Sequence, residues 1–214
     1  MNTMLARTIS IVFHPIFIPL YSILIILYAF PFRYEYVPDK MWNVTIFTIL
    51  GMTMFIPAII MFIMKKLQIV SDIDVSEQKQ RIFPYLIFFF FYLMTFLTLK
   101  PRENSSYVFM EDSLLATIIL GATISLAISF FLNNFLKVSV HTLGVTNLFM
   151  FVCLLSRNTQ KSLFLIIIIS LIAVGLTGSA RIYLRAHNPR EVYYGFLAGT
   201  LGQLFAFLAY FNTF

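Results

Sequence analysis

Seven long blocks of apolar residues constrain the fold of this chain more than any other feature of its sequence. They cover about residues 9–30, 42–64, 82–99, 113–135, 138–156, 162–184 and 192–214. Each block is close to the ~20 residues with which an α-helix crosses the hydrocarbon core of a bilayer. The loops between the blocks are short and leave no room for a soluble domain. The sequence therefore predicts an all-α fold, a polytopic transmembrane helix bundle of six to seven spans that forms one domain over residues 1–214.

The distribution of charge favours a membrane partner over a nucleic-acid partner. Only 11% of the residues are charged, the formal net charge is +6 and the mean hydropathy is +0.88. The basic residues stand at the ends of the apolar blocks, where they meet anionic lipid headgroups, so we expect the bilayer and no nucleic acid as partner. The first block lacks a small-residue cleavage site, so we expect a retained helix and not a signal peptide. A single cysteine, Cys153, provides no disulfide framework.

Whether an even or an odd number of spans separates two loops (the crossing parity) predicts whether they lie on the same face of the membrane. If all seven blocks cross the membrane, the loops at 65–81, 137–141 and 179–191 lie on one face, together with the N-terminus. That face carries nine Lys and Arg and the other carries six, which by the positive-inside rule places the first face in the cytoplasm. Arginines kept for binding an anion inflate this count, and without Arg81, Arg181 and Arg185 both faces carry six. The orientation therefore stays open.

The last polar loop has a spacing with chemical meaning: Arg181, five residues, His187, three residues and then Glu191. Ionisable groups at a membrane boundary are costly to hold and therefore indicate function. Arginine matches the oxygens of phosphate, and histidine exchanges protons or attacks near neutral pH. A second cluster, Ser139-Val140-His141, opens the fifth apolar block, and Arg81 leads into the third. Parity predicts that the three clusters converge on one membrane boundary.

Over roughly residues 72–205 the chain resembles the type 2 phosphatidic acid phosphatase (PAP2) superfamily of membrane lipid phosphatases, as a divergent member of the bacterial type. Members carry Lys-x6-Arg-Pro, Pro-Ser-Gly-His and Ser-Arg-x5-His-x3-Asp motifs in this order. Arg181-x5-His187-x3-Glu191 keeps the third spacing, with Glu in place of Asp, and Ser139-Val140-His141 keeps the Ser-x-His of the second. The resemblance implies a PAP2-like core, accessory helices at 9–30 and 42–64, and a location in a bacterial inner (plasma) membrane.

The chain departs from the family pattern at several positions. The first motif survives as Arg81, with Asp74 where the lysine falls and Lys79 nearby but out of register. Valine replaces both the Pro and the Gly of the second motif. Alanine takes the place of the serine before Arg181, and Ser179 stands one residue further back. These departures favour an alternative function, a catalytically inactive relative that binds anionic lipid headgroups or supports a membrane complex.

The resemblance implies hydrolysis of a phosphate ester or diphosphate headgroup through a phosphohistidine, without a metal or other cofactor. His187 is the implied nucleophile, and Glu191 fixes its tautomer. His141 protonates the leaving lipid oxygen and then activates water. The implied substrate is a glycerophospholipid phosphate or a polyprenyl phosphate; phosphoryl transfer to another acceptor shares the same intermediate. The oligomeric state stays open. The implied phosphate-binding residues are Arg81, Arg181, Ser139 and Lys79.

Two clusters have further interpretations. Asn188-Pro189-Arg190-Glu191 is also a helix-capping box, a role that is compatible with a contact to His187. Asp72, Asp74 and Glu77 are carboxylates of the kind that a metal-dependent headgroup transferase or prenyltransferase uses. Such a magnesium site needs a second acidic cluster facing the first. By parity the other acidic residues fall on the opposite face: Glu103, Glu111 and Asp112.

Three further residues have simpler structural explanations. His14 precedes the helix-kinking Pro15, and we expect it to be packed and hydrogen-bonded. His141 also fits a residue at the start of an interfacial helix, with Ser139 as its cap. We expect Arg185, one turn after Arg181, to extend its charged end from a helix terminus to the interface.

Overall fold

The computed structural model describes residues 1–32, 35, 38–72, 75, 77–100 and 113–211. Within these ranges the regular structure is helical, and six helical stretches are long and apolar enough to cross a membrane. A seventh apolar helix, Val140–Leu155, is shorter. The predicted all-α bundle of six to seven spans is thereby confirmed. Four residues of the predicted acidic clusters lie outside the described residues: Asp74, Glu103, Glu111 and Asp112.

The first apolar stretch starts earlier than predicted, at Thr3, and is interrupted. Helix α1 covers Thr3–Val12, a 3-10 turn covers Pro15–Phe17, and α2 covers Ile18–Ala29. Pro15 has no N–H and its ring clashes with the preceding turn of a helix, so α1 ends before it. The Nδ1 atom of His14 accepts a hydrogen bond from the Ile16 amide at 3.3 Å and so caps the new start.

The second apolar stretch is continuous, but its helical pitch changes. Helix α3 (Asp39–Leu50) passes through five π-helical residues, Gly51–Phe55, into α4 (Ile56–Lys66). Pro57 stands at the start of α4, where its missing N–H interrupts the i→i−4 hydrogen bonds of the helix. A 3-10 turn over Lys79–Arg81 then leads into α5 (Ile82–Leu99), which has the predicted bounds of the third span.

The remaining four helices are α6 (Ser113–Leu132), α7 (Val140–Leu155), α8 (Phe164–Tyr183) and α9 (Pro189–Phe211). With 16 residues, α7 is about 24 Å long, shorter than the ~30 Å of hydrocarbon that a spanning helix crosses. It packs against α6, α8 and α9, and most of its side chains are buried. Because protein surrounds α7, its length does not have to match the bilayer.

Helix α9 approaches α6 and α7 closely through one face of small residues. Gly195, Gly199 and Gly202 share this face. A Cβ at Gly199 would lie 2.5 Å from the carbonyl oxygen of Leu143, and one at Gly202 would lie 2.6 Å from the carbonyl oxygen of Gly121. Small residues let the backbones of membrane helices come together. The start of α9 is thereby held against the start of α7, where two of the predicted motifs lie.

Hydrogen bonds tie the three polar loops together at one end of the bundle. The side-chain amides of Gln78 and Asn133 each donate to the backbone carbonyl of the other residue, at 2.6 and 3.0 Å. The Lys137 ammonium donates to the Ala186 carbonyl at 2.8 Å. The loops at 65–81, 137–141 and 179–191 therefore meet, as crossing parity predicts.

Candidate active site

The end of α8 turns the chain so that His187 folds back towards Arg181. The Arg181 carbonyl accepts hydrogen bonds from the amides of Ala186 and His187 at 3.1 and 3.3 Å, and the Arg185 amide donates to the Ile182 carbonyl at 2.9 Å. Arg185 has a φ of 55°, in the left-handed region. This is the Schellman pattern of a helix C-terminus, with arginine where glycine is usual. Arg185 is exposed at this turn, whereas Arg181 is buried.

The imidazole of His187 contacts the carboxylate of Glu191 at the start of α9. His187 Nδ1 lies 2.7 Å from Glu191 Oε2. The carboxylate also accepts hydrogen bonds from the Asn188 backbone amide at 3.3 Å and its side-chain amide at 3.0 Å. Asn188 Oδ1 in turn accepts from the Glu191 amide at 3.0 Å. This is the reciprocal capping box that the sequence predicts, so Glu191 caps α9 and holds His187 at the same time.

His187 is neutral in the folded protein near pH 7. Burial, together with the positive charges of Arg81, Lys137 and Arg181, lowers its pKa from 6.5 to about 2, and a hydrogen bond with the backbone of Lys137 opposes this only in part. The carboxylate of Glu191 accepts a hydrogen bond, so it favours the tautomer that carries the proton on Nδ1. In that tautomer the lone pair of the His187 ring is on Nε2.

The second motif forms the start of α7. Ser139 immediately precedes the helix, His141 is its second residue, and both are buried. The Ser139 amide donates to the Glu191 carbonyl at 3.1 Å, which joins the starts of α7 and α9. Among the described residues the Ser139 hydroxyl has no hydrogen-bond partner, so it does not cap the helix. His141 lies in the first helical turn, where the amide dipoles favour an anion.

The first motif contributes one firmly held guanidinium. Arg81 is 5% exposed; its Nε donates to the Val75 carbonyl at 2.8 Å and its Nη1 to the Val138 carbonyl at 2.6 Å. These bonds join the segment before α5 to the loop before α7. Tyr85 is buried next to Arg81, one turn further along α5. Because a guanidinium has five N–H groups, Arg81 keeps donors for a ligand beyond its two backbone bonds.

One cavity of about 360 Å³ brings these side chains together. Four predicted site residues from three separate loops line it, and so does His14. All three histidines of the chain therefore line the same cavity. Its other walls are mostly apolar and come from α2, α4, α5, α6 and α7. The four predicted residues in the lining are Arg81, His141, Arg181 and His187.

Three predicted site residues are not among the described residues that line this cavity. Glu191 reaches it through its contact with His187. Ser139 is buried in the loop that carries His141. Lys79 is exposed, whereas Arg81 is buried. Two residues apart on one helical turn, their side chains leave the helix on different sides, so the structure does not bring Lys79 to the arginines.

Lys137 is a cation beside this site that sequence reasoning missed, although it is not among the described residues that line the cavity. Its ammonium donates to the carbonyl of Ala186, directly before His187. Burial lowers the pKa of Lys137, the carboxylate of Glu191 raises it, and Arg81 and Arg181 lower it. Lys137 therefore shares the electrostatic environment of the predicted site residues. Its position immediately before Val138-Ser139-Val140-His141 is the sequence signal that points to it.

His14 is the second residue that sequence reasoning did not assign to the site. Its ring packs against the ring of His141 with centroids 4.8 Å apart and planes at 86°. The structure agrees with the expectation of a packed, hydrogen-bonded residue. The sequence contains no local signal for the neighbour of His14, because the break at Pro15 and the start of α7 are more than a hundred residues apart.

The displaced serine of the third motif does not lie on the cavity side of α8. Ser179 is exposed, whereas Ala180 is fully buried against Ala6 and Ile9 of α1. Successive helical residues are rotated by about 100°, so a shift of one residue moves the hydroxyl to another face. Helix α1 fills the space beside Ala180.

The part of the chain that the structure describes contains no group of three or more His, Cys, Asp or Glu that could hold a metal ion. Of the two acidic clusters that the headgroup-transferase interpretation would use, Asp72 and Glu77 are described and the other carboxylates lie outside the described residues. The headgroup-transferase interpretation therefore gains no ligand set from the described residues.

The fold and the site define a class of protein, a helical membrane protein with a buried histidine–arginine site at one end of its bundle. A family model, the PAP2 superfamily, matches residues 129–214 and thus includes the second and third motifs. The match covers less than half of the chain and confirms the predicted resemblance to the PAP2 superfamily over these residues. Arg81 lies outside the matched residues. No curated protein and no solved structure matches the chain.

Proposed function

We propose that this protein is a membrane lipid phosphatase that acts through a phosphohistidine. The observation that carries the proposal is that two histidines and two arginines, His141, His187, Arg81 and Arg181, line one cavity. Guanidinium groups hold phosphoryl oxygens with paired donors, and two histidines can serve the attacking and the leaving side of one phosphorus. The PAP2 match over the two histidine motifs supports the same class of reaction.

The walls of the cavity support a lipid substrate. Beyond the polar residues they are apolar, as at Pro19, Met61, Phe88 and Ile119, and the helices that form them have the length and hydropathy of membrane spans. An acyl or prenyl chain that moves from the bilayer into this cavity stays in apolar surroundings, so the walls match the chain of a lipid substrate. A glycerophospholipid phosphate and a polyprenyl phosphate or diphosphate share this chemistry. A bacterial plasma membrane stays a prediction for the location of the protein.

In the first step His187 attacks the phosphorus. A P–N bond forms at Nε2, the P–O bond to the leaving group breaks, and His141 gives its proton to the leaving oxygen. The contact of Glu191 with Nδ1 keeps the lone pair of His187 on Nε2 and stabilises the positive charge that develops on the ring. For a monoester the first product is a lipid alcohol, and for a diphosphate it is a lipid phosphate.

In the second step water replaces His187 on the phosphorus. His141, now without its proton, accepts one from the water as the new P–O bond forms. The P–N bond breaks, inorganic phosphate leaves, and His187 and His141 return to their starting states. An acceptor alcohol in place of water would give phosphoryl transfer through the same intermediate.

The cations hold the phosphoryl group in both steps. Arg81 and Arg181 donate to nonbridging oxygens, whose negative charge increases in the transition state. Lys137 replaces the phosphate-binding lysine that the first motif lacks, since its ammonium donates to the carbonyl of the residue before His187. The Ser139 amide donates to the Glu191 carbonyl, and through this bond Ser139 holds the start of α7, which carries His141, against the start of α9. Lys79 is exposed, and Lys137 binds phosphate in its place.

The test is phosphate release by the purified protein in detergent from phosphatidic acid, lysophosphatidic acid and a prenyl diphosphate. We expect turnover of at least one substrate, and a loss of at least about a thousand-fold in His187→Ala. Lys137→Ala is expected to lower kcat/KM by about ten-fold or more, and Lys79→Ala by less than about two-fold. Parent-like release by His187→Ala contradicts the proposal.

A catalytically inactive lipid-binding protein is the second candidate. The exposed position of Lys79 favours it, because a lost phosphate-binding lysine weakens transition-state stabilisation. Lipid-phosphate binding that depends on Arg81 and Arg181, without phosphate release between about pH 5 and 8, would select this candidate.

A further inference from the structure

The third histidine of the cavity, His14, has no part in the reaction proposed above. It lies in the break between α1 and α2, outside the residues that match the family model. Its ring stands edge-on to that of His141, with centroids 4.8 Å apart and planes at 86°. Rings in this arrangement attract each other and restrict each other's rotation. His14 therefore contacts the ring that carries the transferred proton in the proposed reaction.

The segment that carries His14 is itself fixed. Nδ1 of His14 accepts a hydrogen bond from the Ile16 amide at 3.3 Å, which orients the ring. Pro15 packs on α7 at Gly144, where an added Cβ would lie 3.2 Å from Pro15 Cβ and 3.3 Å from Pro15 Cα. Gly144 follows His141 by three residues and so lies on the same face of α7. The backbone and the ring of this segment are thus both held against the face that presents His141.

We propose that His14 is a positioning residue for His141, and that its ring is the wall that holds the His141 imidazole in line with the leaving oxygen. The inference rests on the proposed function. An alkoxide leaving group needs a proton as the P–O bond breaks, so the orientation of His141 controls the rate for a lipid phosphate. An aryl phosphate such as p-nitrophenyl phosphate leaves as a stable anion and does not need that proton. Loss of the wall therefore slows release of the leaving group for one substrate and spares it for the other. His141 also activates water in the second step, which both substrates share, so the substrates are compared through kcat/KM, which reports the steps up to release of the leaving group.

Two variants separate positioning from helix capping. His14→Asn keeps a side-chain acceptor for the Ile16 amide but removes the ring, since asparagine is a good N-cap. His14→Phe keeps a ring of similar size but removes the acceptor. If the ring is the wall, His14→Phe retains more of the parent kcat/KM than His14→Asn. If His14 only caps the helix, the order of the two variants is reversed.

Steady-state kinetics with dioleoyl phosphatidic acid and p-nitrophenyl phosphate test whether His14 positions His141. We expect His14→Asn to lower kcat/KM for phosphatidic acid by at least about ten-fold. The same variant should change kcat/KM for p-nitrophenyl phosphate by less than about two-fold. Equal losses of kcat/KM on both substrates overturn the proposal. So does parent kcat/KM in His14→Asn combined with a loss in His14→Phe.

NMR tests the effect of His14 on His141 without requiring turnover, so its result does not depend on the proposed function. A parent protein that releases no phosphate from either substrate overturns the proposed function, and the contact between the rings is then measured directly. Because the chain has three histidines, ¹⁵N-histidine labelling in detergent gives three ring systems. Positioning predicts that His14→Asn shifts the ring nitrogen resonances of His141 and leaves those of His187 in place. Unchanged His141 resonances overturn it.

Discussion

Glu191 combines two tasks in one side chain, because the i,i+4 spacing to His187 overlaps the i,i+3 spacing of the capping box with Asn188. Glu191→Gln keeps the capping pattern, since Gln also serves at this position. It replaces the acceptor at His187 Nδ1 with an amide that can donate, which favours the wrong tautomer. We expect kcat to fall by at least about a hundred-fold with little change in thermal stability.

Asn188→Ala is the matched variant. It removes the side-chain cap of α9 and is expected to lower the free energy of unfolding by about 1 kcal/mol, with a smaller effect on kcat than Glu191→Gln. Thermal unfolding and phosphate release are measured for both proteins. A pair of variants that lose stability and activity in the same proportion would show that the two tasks are not separable.

The low pKa of His187 predicts that stability depends on pH. Its pKa is about 2 in the folded protein and 6.5 without the fold. Between these values the unfolded chain binds a proton that the folded chain does not, so the free energy of unfolding falls as the pH decreases below about 6.5. We expect a lower Tm in detergent at about pH 5 than at about pH 7.5, and a smaller difference in His187→Gln. Identical pH dependence of the two proteins argues against a buried neutral His187.

At the scale of helices, the site depends on two unusual elements, the short α7 and the glycine face of α9. Gly202→Ala would place a Cβ 2.6 Å from the Gly121 carbonyl oxygen and 2.7 Å from the Ser125 amide nitrogen, both backbone atoms that cannot move independently. We expect a loss of about 1–3 kcal/mol in the free energy of unfolding.

Gly175→Ala in α8 is the control for this close approach. A Cβ at Gly175 meets nothing within 4 Å, so the substitution is expected to stabilise the helix by up to about 1 kcal/mol. Thermal unfolding in one detergent compares the two variants. Equal Tm values for Gly202→Ala and the parent would contradict the tight packing of α9 on α6.

At the scale of the whole molecule, seven helical stretches place the site loops and the loop between α7 and α8 at opposite ends. In a Cys153→Ser background, Arg185→Cys and Lys161→Cys introduce exposed thiols at these two ends. A membrane-impermeant maleimide applied to sealed vesicles of one orientation is expected to label one of the two and not the other. Labelling of both from the same side would rule out a crossing by α8, the helix that separates these two positions. The labelled side also fixes the orientation that the cation count leaves open.

Much of this structure could be predicted from the sequence because it is specified locally. The spans follow from hydropathy and length, the bounds of α5 match the prediction, and the box at Asn188–Glu191 forms through atoms three residues apart. The sequence also determined that the three polar loops lie on one face of the membrane, since an even number of spans separates each loop from the next. The spacing within the third motif was informative because the turn at the end of α8 has a regular conformation, which brings His187 back towards Arg181.

Only the tertiary structure decided which further side chains join the histidines and arginines. Lys79 was the nearer lysine in sequence to Arg81, yet Lys137 lies in the electrostatic environment of the site, because helical rotation turns Lys79 outward. The ring contact of His14 with His141 depends on how the break at Pro15 docks on α7. Such partners are set by the approach of distant helices, and no local pattern in the chain encodes that approach.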